Sequence, residues 1–128
     1  MNKFVLDAYA WIEYLNGSER GNAIVSIVDN KNNEIFTSAA TLSEVLSKFL
    51  RTGKSEFIAI NSIHSLSSVV PVSSDIAVGT ARIHHDQKKK NKNFGMLDSF
   101  VVATAQNVDA KIITGDDDFK GLKNVIFI

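Results

Sequence analysis

The sequence contains no cysteine in its 128 residues. That absence excludes disulfide cross-links, thiolate metal sites and a cysteine nucleophile together, and it suits a reducing compartment. Proline occurs once, as Pro71. Neither charge is in excess: 14 Lys plus Arg balance 14 Asp plus Glu, for a formal net charge of zero. A zero sum argues against a globally basic nucleic-acid binder and against an acidic tail protein. Long apolar runs are missing too. None approaches the ~18 residues a membrane span requires. The short run after Met1-Asn2-Lys3 is cut by Asp7, where a signal peptide would continue apolar to a small-residue cleavage site. The expectation is a soluble, cytoplasmic protein with no membrane contact. No GxGxxG, P-loop or HExxH pattern occurs, so a nucleotide fingerprint is absent and His64, His84 and His85 lack metal-ligand spacing.

What remains is ordinary globular composition, 45% hydrophobic and 22% charged. At this length one domain over residues 1–128 is expected, and it can bury roughly two-thirds of the surface its unfolded chain exposes. Two periodicities alternate along it. Phe4-Val5-Leu6 reads as a buried strand. Ala8, Trp11, Ile12 and Leu15 follow at helical spacing, and Asn16-Gly17 ends that helix. Ile24, Ile27 and Val28 suggest a second helix, and Ile35-Phe36-Thr37 a second strand. Leu42, Val45, Leu46, Phe49 and Leu50 form a full apolar stripe, with Thr41 and Glu44 at capping-box spacing before it. Ser55 to Leu66 predicts another helix, Val69-Val70-Pro71-Val72 an edge strand, and Ser73-Ser74-Asp75 the start of a helix running to Lys88-Lys89-Lys90-Asn91-Lys92. Leu97 to Val108 predicts an apolar helix, Ile112-Ile113 a strand, Gly115 to Lys120 a polar loop, and Val125 to Ile128 a last strand. Short apolar strands separated by helices imply right-handed βαβ units, hence a three-layer α/β/α domain with a short, mostly parallel central sheet.

The acids are placed where such a sheet binds ligands, beyond the carboxyl ends of its strands. Asp7 directly follows the first strand and reads equally as a helix cap. Asp116 sits three residues after Ile113. Asp98 lies in the first turn of an apolar helix, flanked by Leu97 and Phe100, where a partly buried carboxylate needs a partner or a metal. Glu44 lies opposite the apolar stripe of its helix, which by itself reads as structural or solvated. Asp116, Asp117 and Asp118 read as a solvated loop or as part of a site. Converging carboxylates suit hard cations such as Mg²⁺ or Mn²⁺, which can activate water and stabilise an in-line phosphoryl displacement.

Four segments in order resemble the PIN domain, and within it the VapC-type toxins of toxin–antitoxin pairs: Phe4 to Leu15, Leu42-Ser43-Glu44-Val45, Leu97 to Ala105, and Ile113 to Phe119. The resemblance implies a metal-dependent ribonuclease with Asp7, Glu44, Asp98 and Asp116 as its acidic quartet, and it turns Glu44 towards the cleft. It implies a Mg²⁺ or Mn²⁺ cofactor, Asp118 as second choice to Asp116, and Thr114 as the hydroxyl that orients an acid or a water. Ala8, Tyr9 and Ala10 depart from the hydroxyl that many members carry just after the first aspartate. An RNA substrate, an antitoxin that blocks the cleft and a homodimer are implied as partners, with Trp11 and Tyr14 fitting either an interface or the core. The run Lys88, Lys89, Lys90 and Lys92 reads as a solvated helix end or as a phosphate-binding rim, and Lys48, Arg51 and Lys54 could contribute similarly. A phosphorelay receiver would want a lysine after a late strand, and a phosphatase Asp-x-Asp fails at Tyr9. The remaining alternative is an inactive PIN fold that only binds RNA or protein.

Overall fold

Alternation along the short strands decides which layer each residue joins. A computed structural model describes residues 2–128. The order is β1 (Asn2–Leu6), α1 (Ala8–Leu15), α2 (Glu19–Val28), β2 (Asn33–Ser38), α3 (Ala39–Arg51), α4 (Glu56–Leu66), β3 (Ser68–Val70), α5 (Ser74–Lys88), α6 (Met96–Val108), β4 (Lys111–Thr114) and β5 (Val125–Phe127), with one 3₁₀ turn at Asp117–Phe119. Every pairing is parallel and the sheet order is β3-β2-β1-β4-β5. Phe4 and Leu6 of β1 join a core with Trp11, Ile24, Val45, Phe49 and Ile63 from α1 to α4. Val5, between them, points the other way and packs with Val101, Val102 and Ala105 of α6. Helices therefore cover both faces, as the expected three-layer domain requires.

Several local details depart from the sequence reading. The stripe-bearing helix does not start at a Thr41–Glu44 capping box. Ser38, the last residue of β2, caps α3 instead, its Oγ accepting from Ala40 N at 3.2 Å. Strand and helix are joined without a loop, so the cap must come from the strand's own end, and Thr41 is buried inside the helix. Pro71 lies just beyond β3 rather than within it. The expected loop after β4 contains the 3₁₀ turn, capped by Asp116. α2 begins well before Ile24, at Glu19, because Ser18 caps it.

Trp11 is fully buried and belongs to the core, not to an outer face. Its Nε1–H donates to Thr37 Oγ1 at 3.0 Å, which shares a 2.7 Å hydrogen bond with Ser67 Oγ. Ser67 in turn donates to the Ile63 carbonyl. Its polar atom is thus satisfied in the interior, as a buried indole requires. Tyr14 is half-buried, its ring 5.8 Å from that of Trp11 in an edge-on arrangement.

The sheet order places the site. From β1 the chain builds outward through β2 and β3, then returns to the opposite side of β1 for β4 and β5. The reversal point lies between the carboxyl ends of β1 and β4, where open parallel sheets leave a crevice. Leu6 pairs with Ile113, so the next residues, Asp7 and Thr114, face each other there.

Candidate metal centre

Asp7 has two uses at once. One oxygen, Oδ1, accepts from Ala10 N at 2.8 Å and caps α1. The other, Oδ2, accepts from the Thr114 hydroxyl. Thr114 Oγ1 also accepts from Asp116 N at 2.9 Å, so a single buried hydroxyl ties the end of β1 to the loop after β4. Cap and site roles, alternatives in the sequence, are compatible because a carboxylate has two oxygens. Burial pushes the Asp7 carboxyl up to about 7, against the pull of its hydrogen bonds from Thr114 and Ala10 and with a smaller push from the charges of Asp116 and Asp98.

Asp98 stands in the first turn of α6, where its Oδ2 accepts from Gly95 N at 3.0 Å. Burial raises its pKa, the Gly95 hydrogen bond opposes, and Asp116 and Asp118 raise it further. Asp116 caps the 3₁₀ turn through Oδ1, which accepts from Asp118 N at 2.9 Å. Asp118 accepts from the side-chain amide of Asn91 at 3.1 Å. Glu44 is half-buried and faces the same crevice. Burial raises its pKa most, Asp98 and Asp116 add to this, and Lys48 and Arg51 oppose it. The wheel-based view of Glu44 as a solvated residue changes because the buried row of α3 is Thr41, Val45 and Phe49, with Leu50 left exposed, so Glu44 stands one turn from Thr41 beside the buried face and lines the cleft with the acids.

Asp7, Glu44, Asp98 and Asp116 all line one cleft of about 270 Å³, together with Tyr9, Lys48 and Arg51. Asp98, Asp116 and Asp118 can each offer one carboxylate oxygen within 4.8 Å of the others. Asp116 and Asp118 thus reach the same point, and the geometry does not require a choice between them. Among the described residues, the one ion pair joins Lys120 to Asp117 at 3.2 Å on the surface. None of the cleft acids has a cationic partner within that reach. Acids gathered without an ion-paired cation, with Asp7, Glu44 and Asp98 raised in pKa, are a donor set that a hard dication fits, since it supplies positive charge and prefers oxygen.

The basic groups are distributed differently from the sequence reading. Lys48 and Arg51, one and two turns after Glu44, line the cleft. Lys88, Lys89, Lys90 and Lys92 do not line it. Lys88 Nζ donates to the Lys92 carbonyl at 2.6 Å, and Lys90 lines a separate groove between α5, α6 and the loop before β5. The run reaches the acids only through Asn91. One wall residue, Tyr9, carried no functional reading in the sequence. The signal was its position in the first turn of α1, directly beyond the carboxyl end of β1, where parallel sheets bind ligands.

Comparison with known proteins agrees with this architecture. The PIN domain family model matches residues 4–125. No curated protein matches the sequence. Among solved structures, the chain superposes on a toxin–antitoxin complex from Klebsiella pneumoniae with a TM-score of 0.76 at 22% identity, covering 95% of this chain and 94% of that one. A VapBC complex from Rickettsia felis, bound to a DNA fragment from its promoter, gives 0.77 at 18% identity, with 98% and 97% covered. The sarcin–ricin loop cleaving VapC toxin of Mycobacterium tuberculosis gives 0.74 at 16% identity, with 95% and 96% covered. At these identities the structures speak for the fold, and the family match, spanning nearly the whole chain, decides the membership: this chain belongs to the PIN domain family.

Proposed function

We propose that this protein is a Mg²⁺- or Mn²⁺-dependent endoribonuclease acting as the toxin of a VapBC-type toxin–antitoxin pair. The observation that carries the reading is the convergence of Asp7, Glu44, Asp98 and Asp116 on one cleft with no cation paired to any of them. Asp98, Asp116 and Asp118 would hold the dication, with Asp7 beneath them. When bound, it supplies Lewis acidity for a water and charge stabilisation for the phosphoryl oxygens of an in-line displacement. Thr114 fixes the rotamer of Asp7 by donating to Oδ2 and holds the Asp116 backbone by accepting from its N–H. Glu44 supports a second cation or orients the attacking water across the cleft. Lys48 and Arg51 bind phosphates flanking the scissile one, and Lys88, Lys89, Lys90 and Lys92 extend the positive surface outward.

The partners follow from the same reading. RNA is the substrate, a cognate antitoxin covers the cleft, and the toxin forms a homodimer. The relatives' toxin–antitoxin complexes support the antitoxin partner. Among the described residues no helix is long and apolar enough to cross a membrane, which is compatible with a cytoplasmic setting. The decisive experiment is Mg²⁺- or Mn²⁺-dependent cleavage of total RNA by the wild type and by Asp98→Asn. Loss in the folded variant supports the proposal, and full activity in it overturns it. Calorimetric titration with Mn²⁺ separates an inactive PIN module, which need bind no metal, from the nuclease.

A further inference from the structure

The cleft has one wall that metal chemistry alone does not explain. Tyr9, on the first turn of α1, lines it beside Asp7 and Asp116. Its ring lies directly against the backbone of Gly115: a Cβ there would collide with ring atoms Cδ1, Cε1 and Cζ. Gly115 stands between Thr114 and Asp116, so the ring is seated beside the acids rather than out on the surface. Its far end is fixed as well, because Arg20 Nη1 donates to the Tyr9 hydroxyl at 2.7 Å. The side chain is half-buried, with the rest of it open to the cleft. The exposed cations Lys48 and Arg51 line the same cleft. The result is one cleft that holds an aromatic side chain fixed at two points, the carboxylates and two exposed cationic side chains.

Resting on the nuclease reading above, we propose that Tyr9 is the stacking platform for the nucleobase adjacent to the scissile phosphate, so that the substrate is cut where the strand is single and the base can be splayed out. Stacking on a pinned ring needs no base-specific hydrogen bond, and a paired, stacked base in an A-form helix cannot reach it. A ring already held by Gly115 and Arg20 loses little freedom on binding, which favours its use as a platform. The alternative use of the ring, as a brace for the Thr114–Asp116 backbone, is separable. Leucine at position 9 fills the slot over Gly115 without offering a π-face, whereas phenylalanine keeps the face and drops the Arg20 hydrogen bond.

The experiment uses a fluorophore-labelled unstructured oligoribonucleotide, the same strand annealed to its complement, and versions with a single abasic ribose placed along it. Wild type, Tyr9→Phe and Tyr9→Leu are compared, with circular dichroism melts confirming the fold. The platform predicts cleavage of the single strand over the duplex. It predicts KM near wild type for Tyr9→Phe and a KM raised about tenfold with kcat held for Tyr9→Leu. An abasic ribose beside the cut should cost the wild type the same factor and cost Tyr9→Leu nothing. Metal-free binding of the strand, read by anisotropy, should weaken in parallel for Tyr9→Leu. Wild-type KM in Tyr9→Leu, or abasic and Tyr9→Leu losses that simply multiply, overturns the platform while the nuclease stands. Absence of RNA cleavage by the wild type overturns the nuclease reading and the platform with it.

Discussion

The floor and the rim of the cleft are built by different rules. On the floor, Asp7, Thr114 and Asp116 are joined by hydrogen bonds that also cap α1 and hold the loop after β4. Asp7 serves the fold and the site with separate oxygens, and Thr114 joins them through one hydroxyl. On the rim, Glu44, Lys48 and Arg51 stand along one row of α3, next to the row of Thr41, Val45 and Phe49 that enters the interior. Lys48 and Arg51 are exposed, and among the described residues the one side-chain hydrogen bond between them and the fold is local, from Arg51 Nε to the Ser47 carbonyl of the same helix. The difference teaches that floor substitutions should alter stability and chemistry together, whereas substitutions of Lys48 and Arg51 on the rim should alter substrate handling alone.

The sharpest test of that contrast is on the acids themselves. Asp98→Asn should lower RNA cleavage at least about a hundredfold, since removing even groups that merely orient metal ligands costs 10- to 100-fold. Asp7→Asn should be as inactive, yet its metal-free protein should melt higher than wild type at pH 8, because a buried carboxylate near 7 is ionised there at a cost the amide avoids. If Asp7→Asn melts lower at pH 8, the floor owes more to the charged hydrogen bonds than to relief of burial.

The pH dependence of stability follows from the same group. In the unfolded chain Asp7 loses its proton near 3.8, and in the folded chain near about 7. Between these values the folded state binds more protons than the unfolded, so stability is highest at the acid side and falls as pH rises through the window. The direction of the Glu44 and Asp98 shifts adds to it. Metal-free protein should lose on the order of a few kcal/mol between pH 4 and pH 7, a Tm change of roughly 10 °C by calorimetry. Saturating Mn²⁺ should raise Tm at pH 7.5, and Asp7→Asn should flatten most of the metal-free slope. A Tm that climbs with pH across this window would contradict the raised floor carboxylate.

Rim changes should be smaller and cleaner. Lys48→Gln with Arg51→Gln should leave the melting curve in place, raise KM for RNA about tenfold, and reduce the slope of log binding constant against log salt by about 1.4, the share of two single-strand phosphate contacts. Smallest is the change of Lys88, Lys89, Lys90 and Lys92 to glutamine. These lie off the cleft, so binding should weaken by less than the α3 pair alone, and cleavage at saturating RNA should be unaltered. A larger loss from the lysine run than from Lys48 and Arg51 would reverse the ranking of the two basic regions.

Much of this was legible in the residues. The unbroken apolar runs Phe4-Val5-Leu6 and Ile112-Ile113, and the stripe from Leu42 to Leu50, were enough for the layers, because burial on both sheet faces leaves few other uses for such segments. Asp7 and Asp116 declared themselves by standing just after strands. Glu44 did not: helical periodicity reports which flank is apolar, not whether the other flank meets water or a neighbouring helix. The lysine run kept two readings, solvated helix end or rim, for a related reason. It is near Asp98 in sequence, but its lysines do not line the cleft, while Lys48 and Arg51 reach it from another element.

The sequence by itself therefore determined the α/β alternation, the parallel sheet and the family, since these rest on local pattern and on motifs read in order. Only the tertiary structure decided which charges meet. The pairing of Leu6 with Ile113 brings Asp7 to Thr114 across 107 positions of chain, and the turn over Gly115 sets the Tyr9 ring beside them. Charge and hydrogen bonding act over a few ångströms, and distance in space is what the order of residues alone does not state.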